Sequence, residues 1–511
     1  MTAWPPVPFD RAHSRMAEWS AWYTGDPDQL ATTYSRDVPR ARPSQYRGGL
    51  VGAAARFFWG RPQNPVQRPA RLHVPLAADI ATASADLLFA EPPRVTVEDA
   101  AAQDRLDAIL NHPTVHSGLL EAAEVSAALG GCYLRTVWDQ DVAPHPMIDT
   151  VHADAAVPEW RWSQLDAVTF WSTVEDNGSQ VLRHLERHER GRILHSLYAG
   201  TTDDLGRPVP LTEHPATAWA ADLVDADGSI PTGTHRLTAA YVPNVRPSRA
   251  WRSVRELAPL GRSDFDGVEP LLDALDETYS SWMRDVRLAK ARLIVPTGYL
   301  TPNGPGQGAS FDEDQEVFTE VNALSKGTGG TEITPAQFAI RVTEHQQTAD
   351  ELVRAVLRSA GLSPSTFGDN DGDVSITATE VNARERSSER TRMKKALHWS
   401  AGLSAITAAL LDVDRLLGNG PGLDPNERPA IEFAPRAQPD PQTLAATVET
   451  LHRAESASLD VRVRMVHPDW DDTEVAAEVQ RIREESGAVE PDPAAILREA
   501  AGSSSRPSFS T

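Results

Sequence analysis

The sequence predicts an α+β chain on three observations. Short alternating segments that read as β-strands crowd residues 131–244. Two amphipathic stretches with helical spacing flank a Gly- and Pro-rich insertion. A further helical pattern then runs from Thr377 to about Leu417, on the order of 60 Å at 1.5 Å per residue.

In chain order, residues 1–60 read as helix and loop with an aromatic cluster at Trp19, Trp22, Tyr23 and Phe57–Trp59. Pro75–Pro93 is a small-residue helix stopped by a Pro pair. Arg94–Val97 starts a strand, Ala100–Leu110 is a helix, and His116–Leu129 is an Ala-rich helix ending at Gly130-Gly131. Cys132–Trp138 alternates as a strand, with others at Met147–His152, Ala167–Thr173, Val181–His188, Arg192–Tyr198 and Leu237–Val242. Glu189-Arg-Gly191 is a hairpin turn signal.

From Val268 to Leu293 apolar residues recur at Leu271, Leu272, Leu275, Tyr279, Trp282 and Val286, with Asp273, Asp276, Glu277 and Arg284 opposite. That spacing is an amphipathic helix. The insertion 295–342 predicts short strands at Glu316–Val321 and Phe338–Val342. Leu352, Val353, Val356 and Leu357 repeat the helical pattern up to a stop at Gly361. After the loop Ser363–Ser375, Thr377 and Glu380 form a capping-box signature for the long helix. Its first turns, to Lys395, are polar nearly all round, with six basic and three acidic residues from Glu380 onward. Its second half turns apolar at Met393, Leu397, Leu403, Ile406, Leu410, Leu411 and Leu416, and Gly402 is expected to bend it. One wet half and one buried half are expected. A strand at Ala430–Ala434 returns to the N-terminal part. Helical stripes follow at Leu444, Val448 and Leu451 and at Val475, Val479 and Ile482, and a Ser-rich tail from Gly502 is expected to be disordered.

Composition narrows the function. At 511 residues, two to four domains are expected. A formal net charge of −23 argues against an extensive basic surface gripping nucleic acid, though not against one that lets DNA slide past. The single cysteine, Cys132, excludes an intrachain disulfide framework and fits a reducing compartment. Met1–Asp10 lacks the apolar core of a signal peptide, and no apolar run approaches the roughly 20 residues that cross a bilayer. A soluble protein made in the cytoplasm is expected, with no membrane partner.

Candidate chemistry fails on spacing. Asp369, Asp371, Asp373 and Glu380 count like a calcium loop, but glycine falls at the fourth position and Val374 occupies the sixth, where the turn needs it. His184 and His188 sit four apart on a strand, about 13 Å from each other, too far for one metal. No Gly-x-Ser-x-Gly or phosphate-loop lysine occurs, and Cys132 reads as a buried thiol. No catalytic residue, cofactor or metal is expected. An acidic chain with 13 Trp also fits a carbohydrate hydrolase using two carboxylates, but the scattered Trp positions favour core packing.

Four stretches resemble the portal proteins of tailed bacteriophages, the siphophage-type head-to-tail connectors. They are Leu76–Pro93, Glu121–Trp138 with its Ala-Ala-Leu-Gly-Gly-Cys-Tyr-Leu-Arg, Gly267–Pro296 and Gly361–Arg386. The resemblance implies a portal-like subunit in a twelve-fold ring around a DNA channel, located at the portal vertex of the virion and assembled in the host cytoplasm. It implies a wing (1–265, with a return strand in 418–439), stem helices (266–294 and 343–361), a β-rich clip (295–342), a tunnel loop (362–375), a spine helix (376–417) and a crown (440–501). Gly368, Asp369, Asn370, Asp371, Gly372 and Asp373 resemble the loop facing DNA, and Leu271, Leu275, Trp282, Val286, Leu352 and Val356 the stem that packs subunits. The implied partners are further copies of the chain, the large terminase subunit, a head-completion or adaptor protein, major capsid and scaffold proteins, and double-stranded DNA passing without sequence preference. The basic turns of the long helix are expected to face acidic neighbouring subunits. The alternatives are a soluble carboxylate-dependent hydrolase and a different oligomeric head protein, such as a shell subunit.

Overall fold

The computed structural model describes residues 3–34, 71–289, 292–294, 301–302, 309–310, 334–336, 340–368, 378–433, 441–467, 470 and 472–485. Contacts divide the chain into two units, Met1–Ala434 and Pro435–Thr511.

The first unit opens with α1 (Phe9–Thr24) and α2 (Pro27–Tyr34), joined at Gly25, whose φ of 65° stops α1 in the left-handed region. Next come α3 (Leu76–Phe89), β1 (Arg94–Thr96) and α4 (Ala100–Leu110), the last capped by the Asp99 carboxylate accepting from the Ala102 N–H. α5 (Pro113–Leu129) begins on a proline and ends at Gly130 (φ 89°). It starts earlier than its Ala-rich pattern, because Pro113 presets the first turn and His112 caps it. The β-region contains β2 (Gly131–Val137), β3 (Met147–His152), β4 (Ala156–Arg161), β5 (Gln164–Asp176), β6 (Val181–Glu189), β7 (Arg192–Thr201) and β8 (Asp204–Val209). α6 (Pro215–Ala221), β9 (Ser229–Pro231) and β10 (Ala239–Pro243) complete it. Strands β10-β2-β3 form one antiparallel sheet, with Tyr133 opposite both Tyr241 and Val151. Strands β4-β5-β6-β7-β8 form a second sheet, with β9 added on β7. The hairpin expected at Glu189–Gly191 is present, with Glu189 paired to Arg192.

Helix α7 covers Glu269–Leu288, so it ends before Leu293. Arg292–Ile294 forms strand β11 instead, held by pairing with Thr334–Ala336. Short strands β12 (Thr301–Pro302), β13 (Ala309–Ser310) and β14 (Thr334–Ala336) follow, and β14 pairs antiparallel with β11. The strand expected at Phe338–Val342 is not formed by its described residues, since Val342 already begins α8 (Val342–Ala360). The strand expected at Glu316–Val321 lies outside the described residues. α9 runs Ala378–Leu416, and β15 (Ala430–Glu432) returns to pair with β1 as expected.

Two cores hold this unit. One joins α1, α3, α7 and α8 through Trp19, Trp22, Ile80, Leu275 and Val356, all at most 1% exposed. Cutting such a Trp to Ala costs about 3–5 kcal/mol. The other packs α3, α5, β2 and β10 against α9 through Phe89, Cys132, Leu134, Val242, Trp399 and Ile406. The second unit contains α10 (Pro441–Arg453), α11 (Leu459–Val466) and α12 (Asp472–Glu485), with a small core of Val463, Val475 and Val479.

Candidate functional site

The joint between α8 and α9 is fastened by the polar turns of α9. Gly361 ends α8 in the left-handed region, and its carbonyl accepts from the Thr391 hydroxyl at 2.8 Å. A side chain at Gly361 would meet that hydroxyl at 2.6 Å, so φ and space both ask for glycine. The Ser363 N–H donates to Ser388 Oγ at 2.8 Å, and Thr366 Oγ1 lies 2.9 Å from the same oxygen. The chain therefore leaves the Ser363–Gly368 turn at a fixed point on the long helix.

One and two turns further along, α9 is fixed by buried charge. Arg392 donates from Nε to the Leu87 carbonyl at 2.7 Å. Lys395 donates from Nζ to Asp264 Oδ2 at 2.5 Å and to Ser84 Oγ at 3.0 Å, while Asn244 donates to Asp264 Oδ1 at 2.8 Å. Lys395 and Asp264 are 2% and 1% exposed. Burial pushes the Lys395 ammonium below its usual pKa, against the opposing pull of Asp264. Two expectations are corrected here. The polar half of the helix is not wet all round, and Arg392 and Lys395 bind inside their own chain rather than facing a neighbour. Stripping water from these charges is tolerable only because each finds a fixed acceptor.

Gly402 has a packing role. A side chain there would meet Val242 Cγ2 at 2.4 Å, so the glycine lets α9 approach β10 closely. Met393 and Leu397 are 51% and 72% exposed, outside the core expected for them. Arg386–Leu416 also has the length and apolarity to cross a bilayer, contrary to the sequence expectation, although half of its most apolar stretch is buried here.

Helix α7 shows the same inversion at its start. Asp276, on the expected polar face, is 1% exposed and accepts from the Val74 N–H at 2.8 Å and from Tyr34, with His73 Nδ1 at 2.9 Å. Glu269 accepts from Arg15 at 2.5 Å and from Trp19 Nε1 at 3.0 Å.

The chemistry-bearing residues singled out in the sequence are engaged within the fold. Among the described residues no group of three His, Cys, Asp or Glu could hold a metal. The Cys132 thiol is buried and pushed up to about 12. His184 and His188 lie on one strand as expected and are engaged separately. His184 Nε2 meets His195 Nδ1 at 3.1 Å, and His188 lies between Thr238 and Glu186. Burial holds His195 down at about 4. Burial alone would raise Glu186, but the hydrogen bond and charge of His188, with Arg135, bring it to about 2.

Residues 9–492 match the family model described as phage portal protein, SPP1 Gp6-like. The chain belongs to this portal family. No curated protein sequence matches it. Among solved structures it is similar to a chain from the virion of a native gene transfer agent particle, at 12% identity and TM-score 0.41, covering 85% of this chain and 98% of that one. A chain from the neck of the native particle computed with C12 symmetry gives 13% identity and TM-score 0.41, over 88% and 97%. One from the neck of the empty particle computed with C6 symmetry gives 14% and 0.43, over 85% and 97%. No function transfers at these identities.

In this portal-family chain the residues expected for the stem divide. Leu275 and Val356 are fully enclosed by the chain's own core, and Leu271 and Leu352 pack against it. Trp282 lies parallel to the His345 ring at 6.0 Å, and Val286 is 38% exposed. Gly368 ends the short turn at φ 77°. Asp369, Asn370, Asp371, Gly372, Asp373 and Thr377 lie outside the described residues, as does the Glu380 side chain. What sequence reading missed is the set Ser388, Thr391, Arg392 and Lys395. Its signal was the spacing 388, 392, 395, one helical face written in polar residues.

Proposed function

We propose that this chain is the portal subunit of a tailed-phage-type particle, assembling as a ring of about a dozen copies around a channel through which DNA is packaged and ejected. The observation that carries the reading is the family match across residues 9–492. In this reading α7 and α8 are the stem, residues 295–342 the clip that docks the terminase motor and later head-completion proteins, residues 369–373 the loop facing DNA, α9 the spine and residues 440–501 the crown. The anchorage of α9 supports it, because a ring past which a polymer slides needs its loop rooted on a rigid element. Chemistry is left to the motor, in keeping with the buried, inert Cys132.

A DNA passage must not hold phosphate, since every neutralised phosphate adds affinity. Asp369, Asp371 and Asp373 serve that end by repulsion. With all three changed to Lys, rings are expected to assemble normally while packaging slows in an assay with motor, procapsid and DNA. An unchanged packaging rate would remove the loop from the account.

A further inference from the structure

A groove of about 620 Å³ opens between the β4–β5 and β6–β7 turns, the edge strand β10 and the middle of α9. Its walls carry Trp160 and Tyr241 with Arg190, Arg236, Arg246 and Arg428. Arg236 is held by Asp412 at 3.2 Å, and Arg190 reaches Asp166 only at 3.9 Å. Among the described residues Arg246 and Arg428 make no ion pair, and both are exposed. A groove with two unpaired guanidinium groups, in a chain whose net charge is −23, asks for carboxylates.

The floor is the small-residue face of α9, Ala401–Ala405. On the same face, one and two turns earlier, stand the exposed Leu397 and Met393. At the rim the two-residue turn Trp162–Ser163 has φ of 51° and 61°, a conformation that non-glycine residues rarely take. Trp162 is 93% exposed there. Basic groove, apolar stripe and held-out Trp together have the anatomy of an interface: aromatic and apolar anchors beside arginine.

The β2–β3 connection of the same three-stranded sheet carries the complementary charge. Between β2 and β3 the chain projects Trp138-Asp139-Gln140-Asp141-Val142, with Trp138 44% and Val142 69% exposed. This loop is already ordered: Asp139 Oδ1 accepts from the Asp141 N–H at 2.9 Å, and its carbonyl accepts from Val142 and Ala143. Little conformational freedom remains to be lost on binding. The groove borders β10 and the loop joins β2 to β3, and the two share no residue. Two complementary patches that share no residue make a head-to-tail contact, the kind that closes into rings.

We infer that the arginine groove seats the Trp138–Val142 loop of a second copy of this chain. This rests on the subunit reading above and deepens it by naming the two surfaces. The carboxylates of Asp139 and Asp141 meet Arg246 and Arg428, and Trp138 and Val142 meet the apolar stripe of α9.

The test is sedimentation velocity across a concentration series, with electron microscopy of the assembled species. It compares the natural chain, Arg246→Glu, Asp141→Arg and the two substitutions combined. Both residues are exposed, and thermal melts should coincide across the set. Each single change should raise the concentration needed for half-assembly about tenfold, and the combination should recover most of that loss. A natural chain that never assembles overturns the ring reading and the docking with it. Normal assembly by Arg246→Glu overturns the groove and leaves the ring reading standing. Impairment by Arg246→Glu with none by Asp141→Arg, or no recovery in the combination, overturns the loop as occupant.

Discussion

Two faces of one helix carry opposite lessons. On one face of α9, Ser388, Arg392 and Lys395 are polar and buried. On another, Met393 and Leu397 are apolar and exposed. A chain folding only for itself does the reverse, because burying charge is costly and exposed Leu gains nothing. The buried polar face makes sense as anchorage, fixing the helix to Leu87, Asp264 and Gly361 in one register. The exposed apolar face makes sense as surface kept for another molecule.

The largest expected effect breaks the anchor. Asp264→Ala leaves Lys395 buried and unpaired, and should cost about 3–5 kcal/mol in denaturant unfolding. Replacing both partners by apolar residues (D264L with K395M) should recover much of that. Next, Gly402→Ala forces a methyl against Val242 and should cost about 1–3 kcal/mol, against near neutrality if the glycine merely bent the helix.

The β-region sharpens the contrast through pH. His195 is held at about 4 when folded, by burial first, whereas an ordinary histidine titrates near 6.5. The unfolded chain therefore binds the extra proton between those values, and stability present above pH 6.5 is lost as pH falls toward 4. One unit of acidification near pH 5.5 should cost about 1 kcal/mol in the natural chain and less in His195→Gln, read from melting at pH 6 and pH 5. The smallest effect is on the exposed face. Leu397→Lys should change monomer stability by about 0.5 kcal/mol or less while weakening assembly. A larger loss of stability would mean that Leu397 already serves its own core.

Much of the fold was legible in the sequence. Strand β2, β3, β6 and β7 positions, the helix–insertion–helix order and the return strand at Ala430 all follow from period and punctuation. What misled was the equation of polar with wet. Asp276, Glu269 and Lys395 are each buried beside a partner more than a hundred residues away in sequence, and no local pattern encodes such a partner. Helix α7 was read too long because Arg292–Ile294 fits either a helix or a strand, and pairing with Thr334–Ala336 decides it. The close approach of Gly402 to Val242 is equally hidden in the sequence, because Val242 lies in a distant strand.

The ring is the claim on which the rest depends, and it can be observed directly. Purified chain, imaged by negative-stain electron microscopy and weighed by mass photometry over a range of concentrations, should show closed rings with a central hole and roughly a dozen subunits. A homogeneous monomer at every concentration, with scaffold protein added or not, would contradict it.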